Sequence, residues 1–272
     1  MDLFDRGAKI GMLGLKERGA IGMNKLIWQQ DFLHGTTDLS AWNIRLGNDL
    51  LGDNGQAICP GWGNGEQQFY TDRSDNLYLD QNGLNLCARR EAVEADGRSF
   101  AYTSARLDTK GRFSYRYGKL IVRARLPVGQ GLWPAIWMLP ERQAYGPWPA
   151  SGEIDVMEAR GRLPRQISGT LHYGKDWESK VTDESSFEFG NSTINEFHDY
   201  ALEWSEDAIR WLVDGHCYAE RRLEPGVMPF DQEFYLVLNL AVGGWYDRVL
   251  IDESALPAVM TVSGIWVYGL QV

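Results

Sequence analysis

Along most of the chain, hydrophobic residues recur at every second position rather than every third or fourth. Leu120, Val122, Ala124 and Leu126 alternate with Ile121, Arg123 and Arg125, the pattern of a strand with one buried face. Leu77 and Leu79 lead to Asn82-Gly83, and Leu84, Leu86 and Ala88 follow. A two-residue turn centred on Asn-Gly, with positive φ at both positions, predicts a hairpin there. Ile209, Trp211 and Val213 run into Asp214-Gly215, and the chain resumes at His216 to Tyr218, a second hairpin of the same kind. The unbroken apolar run from Phe234 to Val242 predicts an inner strand, and Ile265 to Val272 a closing one. No helical stripe, repeat or low-complexity linker interrupts the series. Many short strands with frequent turns predict an all-β sandwich in one domain, residues 24–272. Residues 1–23 carry scattered charges and several glycines without an apolar stretch, which predicts a loosely structured arm or leader rather than a secretory signal.

Charge and composition narrow the partners. The 272 residues carry 27 basic and 37 acidic side chains, a net charge of −10. Such a surface repels polyanions, so nucleic acid and anionic membranes are poor partners. No stretch approaches the ~20 apolar residues that span a bilayer. The 11 Trp and 12 Tyr supply flat apolar faces with a polar handle, which suit sugar rings as well as cores. Cys59, Cys87 and Cys217 cannot all pair within the chain and form no CxxC motif. Buried free thiols are the expectation, one disulfide the alternative, and zinc is not indicated.

The chemistry concentrates in Glu153-Ile154-Asp155-Val156-Met157-Glu158. Residues at even spacing share a strand face, so Glu153 and Asp155 point together. Glu158 would point oppositely unless one extra residue, a β-bulge around Val156-Met157, restores it. Three carboxylates on one face, with Ile154 turned to the core, cannot all ionise freely. A retaining glycosidase needs such a row: one carboxylate to attack the anomeric carbon and a protonated one about 5–5.5 Å away to release the leaving oxygen. An exposed acidic strand edge or a calcium site would also accommodate three carboxylates. Trp133 and Trp137, at even spacing just upstream, would line one face, as core residues or as sugar platforms.

With these flanks the chain resembles glycoside hydrolase family 16, in particular its bacterial laminarinase-like members, from about Trp28 to Tyr268. The carboxylate motif GEIDVME (152–158) is the form with an extra apolar residue. GNGEQQFYTD (63–72), GQGLWPAIWMLP (129–140), GTLHYG (169–174) and FYLVLNLAVGG (234–244) support it. The resemblance implies a β-jelly-roll sandwich of two antiparallel sheets with a substrate cleft on the concave face. It implies Glu153 as nucleophile, Asp155 as its assistant and Glu158 as acid/base, with His172 beside them. It places Asn64, Arg106, Trp133 and Trp137 along the non-reducing side of the cleft. The implied reaction is endo-acting hydrolysis of β-1,3-glucan with retention, by a monomer that needs no cofactor. Mixed-linkage β-1,3-1,4-glucanase, β-glucan transglycosylase, agarase or carrageenase, and a non-catalytic sugar-binding jelly roll are the alternatives. A polysaccharide substrate implies an extracellular setting, although the chain shows no signal peptide and a cytoplasmic one stays open. Two places depart from the family. Gly243-Gly244 runs straight into Trp245-Tyr246 without the usual Asn. Ser263-Gly264 stands where relatives often carry an Asp of a calcium site, which argues against structural calcium.

Overall fold

The computed structural model describes residues 23–33, 37–52, 56–95 and 97–270. The expectation for the N-terminal arm lies outside them, except that Met23 already opens the first strand; the end of the closing strand, 271–272, lies outside as well. In chain order the strands begin β1 (Met23–Asp31), β2 (Asn43–Ile44), β3 (Asp49–Leu51), β4 (Ala57–Pro60), β5 (Gln68–Tyr70), β6 (Leu77–Asp80) and β7 (Gly83–Ala95). They continue with β8 (Arg98–Ser104), β9 (Arg106–Asp108), β10 (Ser114–Tyr115), β11 (Gly118–Arg125), β12 (Leu132–Pro140), β13 (Glu153–Glu158) and β14 (Gln166–Tyr173). The last six are β15 (Val181–Glu188), β16 (His198–Trp204), β17 (Ala208–Val213), β18 (His216–Arg222), β19 (Phe234–Val242) and β20 (Ala258–Leu270). No α-helix occurs among the described residues.

Two sheets form a jelly-roll sandwich. One runs β18-β17-β16-β11-β20-β7-β8-β5, with β1 also on β20 and β6 on β7. The other runs β15-β14-β13-β12-β19-β9-β2, with β10 also on β19, and every pairing in it is antiparallel. The core lies between them. Leu120, Val122 and Ala124 of β11, with Leu126 beyond it, are fully buried, as their alternation predicts. Every residue of β19 is buried, because this strand is covered on both faces.

The hairpins fared differently. Asp214 (φ 49°) and Gly215 (φ 79°) form the expected turn with positive φ at both positions. The first hairpin corrects its expectation: Asp80 pairs with Gly83, so the turn is centred on Gln81-Asn82, and neither has positive φ. The Asp80 carboxylate accepts the N–H groups of Asn82 (2.8 Å) and Gly83 (3.2 Å), supplying the turn's hydrogen bonds itself. Gly83 is needed for close approach: a Cβ there would sit 2.2 Å from the Val262 carbonyl oxygen. The cysteines are all free, but only Cys87 is buried; Cys59 is half-buried and Cys217 exposed, which corrects the expectation of buried thiols.

Candidate active site

The site is built on β13. Trp137 of β12 pairs with Asp155, while Ile136 pairs with Met157, so Val156 is the extra residue of a bulge. On the other side Asp155 pairs with Thr170 and Glu158 with Ser168. The bulge returns Glu158 to the face of Glu153 and Asp155, while Ile154, Val156 and Met157 all enter the core. The Asp155 carbonyl at this irregularity accepts the indole N–H of Trp211, 2.8 Å away and reaching across from the other sheet. Gly169 makes room for that indole, since a Cβ there would lie 2.3 Å from it. A core tryptophan thus props the active strand from beneath.

Each glutamate is held by a different indole. Trp148 Nε1 donates to Glu153 Oε2 at 2.6 Å, and Trp133 Nε1 donates to Glu158 Oε1 at 3.0 Å. His172 Nε2 lies 3.2 Å from Asp155 Oδ2, and its Nδ1 meets the Thr182 hydroxyl at 3.1 Å. Asp155 and Glu158 are buried, and Glu153 is half-buried. Burial pushes Glu153 up to about 8, with repulsion from Asp155 adding to the rise; His172 and the Trp148 indole oppose it. Burial also raises Asp155, against a hydrogen bond with Glu153 that lowers it, and the charge of Glu184 raises it further. Glu158 goes well above the usual carboxylate range through burial, then the charge of Asp155. Burial and crowding therefore favour a protonated member of the row, as an acid catalyst requires. Glu153, Asp155 and His172 offer donor atoms within 4.8 Å of one another, a set that could also hold a cation.

The expected flanking residues fall into two groups. Trp133 joins the carboxylates directly, with one ring face stacked on Tyr246 at 5.1 Å. Trp137 on β12 and Arg106 on β9 belong to the same sheet, and Asn64 lies in the turn before β5. The Arg106 guanidinium sits between the rings of Trp62 (4.2 Å) and Trp137 (4.8 Å). Trp137 Nε1 donates to Asn239 Oδ1 at 2.7 Å, and Asn64 Nδ2 to Glu66 Oε1 at 3.1 Å. Neither Trp133 nor Trp137 is a core residue; both are half-buried.

The departing loop has its own logic. Gly244 (φ 98°) turns it so tightly over Trp133 that a Cβ would lie 2.9 Å from that ring. Tyr246 then lands on Trp133, with the Arg160 guanidinium 4.0 Å from its ring and Arg160 Nε donating to its carbonyl. At the other departure, Ser263 donates its hydroxyl to the Arg123 carbonyl (3.4 Å), and its own carbonyl accepts the Phe32 N–H (3.0 Å). The space a side chain would take at Gly264 is filled by Trp266, 2.5 Å from a built Cβ. The sequence reading missed Trp148, Trp211, Tyr246 and Glu184 as site residues; only the Trp245-Tyr246 pair, where the chain departs from the family, hinted at one of them.

Comparison with known proteins identifies the family. The family described as "Glycosyl hydrolases family 16" matches residues 60–248. The chain is 41% identical over 265 residues to glucan endo-1,3-beta-glucosidase A1 of Niallia circulans, covering 92% of this chain but only 38% of that protein. It is 40% identical over 257 residues to a beta-glucanase of Rhodothermus marinus, covering 90% of this chain and 85% of the relative. The laminarinase catalytic domain from Thermotoga maritima superposes with a TM-score of 0.80 at 36% identity, covering 91% of this chain and 99% of that one.

Proposed function

The chain belongs to glycosyl hydrolases family 16, and from that premise we propose that it is an endo-acting β-1,3-glucan hydrolase working by double displacement with retention. The observation that carries the reading is the bulged β13, which puts Glu153, Asp155 and Glu158 on one face with a separate indole donor on each glutamate. Glu153, ionised, attacks the anomeric carbon, while Glu158, protonated, gives its proton to the departing glycosidic oxygen. Glu158, now a carboxylate, takes a proton from water, which attacks the same carbon and releases Glu153. Asp155 holds Glu153 and His172 in register. Trp137, Arg106 and Asn64 take the non-reducing portion of the chain. No cofactor enters the reaction. The similarity to a glucan endo-1,3-beta-glucosidase and a laminarinase domain supports the linkage.

Release of reducing ends from laminarin, lichenan and agarose, measured side by side, tests the substrate. Laminarin should be cleaved fastest and agarose not at all. Faster cleavage of lichenan would move the assignment to mixed-linkage glucan. Proton NMR of the first product should show the β-anomer; an initial α-anomer would overturn double displacement.

A further inference from the structure

The carboxylate row holds more coordinating atoms than the displacement above uses. Register sets Glu153 opposite His172 and Thr182, and Asp155 opposite Thr170 and Glu184, so these polar side chains share one patch of the sheet face. Glu153, Asp155 and His172 each offer one donor atom, and the three atoms lie within 4.8 Å of one another. Two further observations show that the patch is left unsatisfied. Asp155 is 2% exposed and Thr170 1%, yet Asp155 Oδ2 and the Thr170 hydroxyl have no hydrogen-bond partner among the described residues. His172 Nε2 stands 3.2 Å from that same Oδ2 without the direction of a hydrogen bond. A buried carboxylate oxygen left unpaired is costly, and a cation beside it would recover the loss.

The histidine is arranged as a ligand. Its Nδ1 lies 3.1 Å from the Thr182 hydroxyl, which can accept that nitrogen's proton and leave the Nε2 lone pair beside Asp155. A metal-bound imidazole is ordinarily held in this way by a partner on its other nitrogen. The Trp148 indole occupies Glu153 Oε2, so Oε1 is the oxygen left over. One imidazole nitrogen and two carboxylate oxygens suit a borderline divalent cation such as zinc, bonded at about 2.0–2.2 Å. Such bonds bridge donors up to about 4.4 Å apart, so a small side-chain rotation completes the set. Calcium, which takes about six or more oxygens, would find two carboxylates and a nitrogen here.

We infer that Glu153, Asp155 and His172 form a binding site for a divalent cation of the zinc class, which closes the catalytic centre reversibly. The bound cation takes the electron pair with which Glu153 attacks the anomeric carbon, so the metal and the sugar exclude each other. It also neutralises the crowded acids, which favours its binding without any change in the fold. The site rests on the donor geometry alone; its competition with glucan rests on the function proposed above.

The test is a calorimetric titration of the chelator-stripped protein with zinc chloride, and with calcium chloride as the contrast. Wild type should bind zinc through this site and calcium far more weakly. Thr182→Val should weaken zinc by about tenfold, the low end for loss of an outer partner, and His172→Ala by more than about 100-fold. Thr182 is exposed, so its variant keeps the wild-type fold. Exposed Cys217, next to His216 at the start of β18, is the rival ligand, and Cys217→Ser should leave zinc binding unchanged. With wild type, zinc should raise KM for laminarin and leave kcat within about twofold, as mutually exclusive binding requires. No zinc bound by wild type, equal binding by His172→Ala, or loss in Cys217→Ser would overturn the site. Zinc that lowers kcat and leaves KM unchanged would overturn the competition. A wild type that opens no β-glucan yet binds zinc through His172 leaves the site standing and overturns the proposed function alone.

Discussion

The two flanks of β13 are made of different materials. On the β12–β19–β9 side the face is aromatic and locked: Arg106 lies between two indoles, and Trp137 is tied to Asn239, which donates onward to Tyr70. On the β14–β15 side it is small and hydroxylic, with Thr170, Ser168 and Thr182 leading to an edge strand whose outer residues are exposed. The first flank is pre-organised by contacts that also stabilise the fold. The second holds its large aromatic, Trp177, on a turn, where it can be removed with little loss. Each flank nevertheless sends one indole to the carboxylate row, Trp133 to Glu158 and Trp148 to Glu153. The difference teaches that one flank draws its rigidity from the fold while the other carries side chains the fold does not need.

The largest effect is expected at the row itself. Glu158→Gln should lower kcat on laminarin by about 10²–10⁴-fold, the usual contribution of a general acid. The same variant should be more stable than wild type at pH 8, and by less at pH 5. The sign follows from linkage: Glu158 sits above its unfolded range near 4.3, so the folded state holds a proton that the unfolded state has released. Stability is therefore lost as pH rises through that window, and the amide escapes the loss. Thermal melts at the two pH values check it, with roughly 2–4 °C expected per kcal/mol at this size. A variant destabilised equally at both would show that the carboxyl is not held protonated.

Next comes the contrast between flanks. Arg106→Ala removes two cation–π contacts of about 0.5–2 kcal/mol each, so it should lower Tm by several °C as well as weakening substrate. Trp177→Ala should leave Tm unchanged. Equal melting temperatures for the two variants would abolish the distinction between a locked and an unlocked flank.

The smallest effect separates the two indoles. Both N–H groups hold their glutamate down. In Trp148→Phe, Glu153 rises, and because it must be ionised the acidic limb of the kcat/KM profile should move to higher pH. In Trp133→Phe, Glu158 rises, and because it must be protonated the alkaline limb should move to higher pH instead. A hydrogen bond to a charged group is worth about 1.5 kcal/mol or more, so each limb should move by about one unit. Both variants moving the same limb would remove the division of labour.

Much of this was legible in the sequence because it depends on local period. Alternation located β11, an unbroken apolar run located β19, and the one-residue excess between Asp155 and Glu158 announced the bulge before any partner strand was known. The Asn82-Gly83 turn was misplaced because two independent causes, the Asp80 side chain and the crowding of Gly83 by Val262, imitate a familiar dipeptide. Trp211 was invisible as a site residue because its contact with Asp155 crosses between sheets, 56 positions along the chain. Glu184 was missed for a similar reason: it reads as one polar residue of an alternating edge strand until register sets it level with Asp155. Trp133 and Trp137 share a face as their spacing implied, but nothing local says that Tyr246 and Arg106 cover them.

The account stands or falls on the separate roles of Glu153 and Glu158, and chemical rescue measures those directly. Glu153→Ala should lose activity by about 10⁴-fold or more, and azide should restore turnover of an activated β-laminaribioside, giving the α-glycosyl azide. Azide takes the vacated place and attacks the anomeric carbon once, so configuration inverts. Glu158→Ala with the same donor should give the β-glycosyl azide, because Glu153 has already inverted the centre. The reverse pairing of variants and products would contradict the assignment, and an α-azide from both would contradict the covalent intermediate itself.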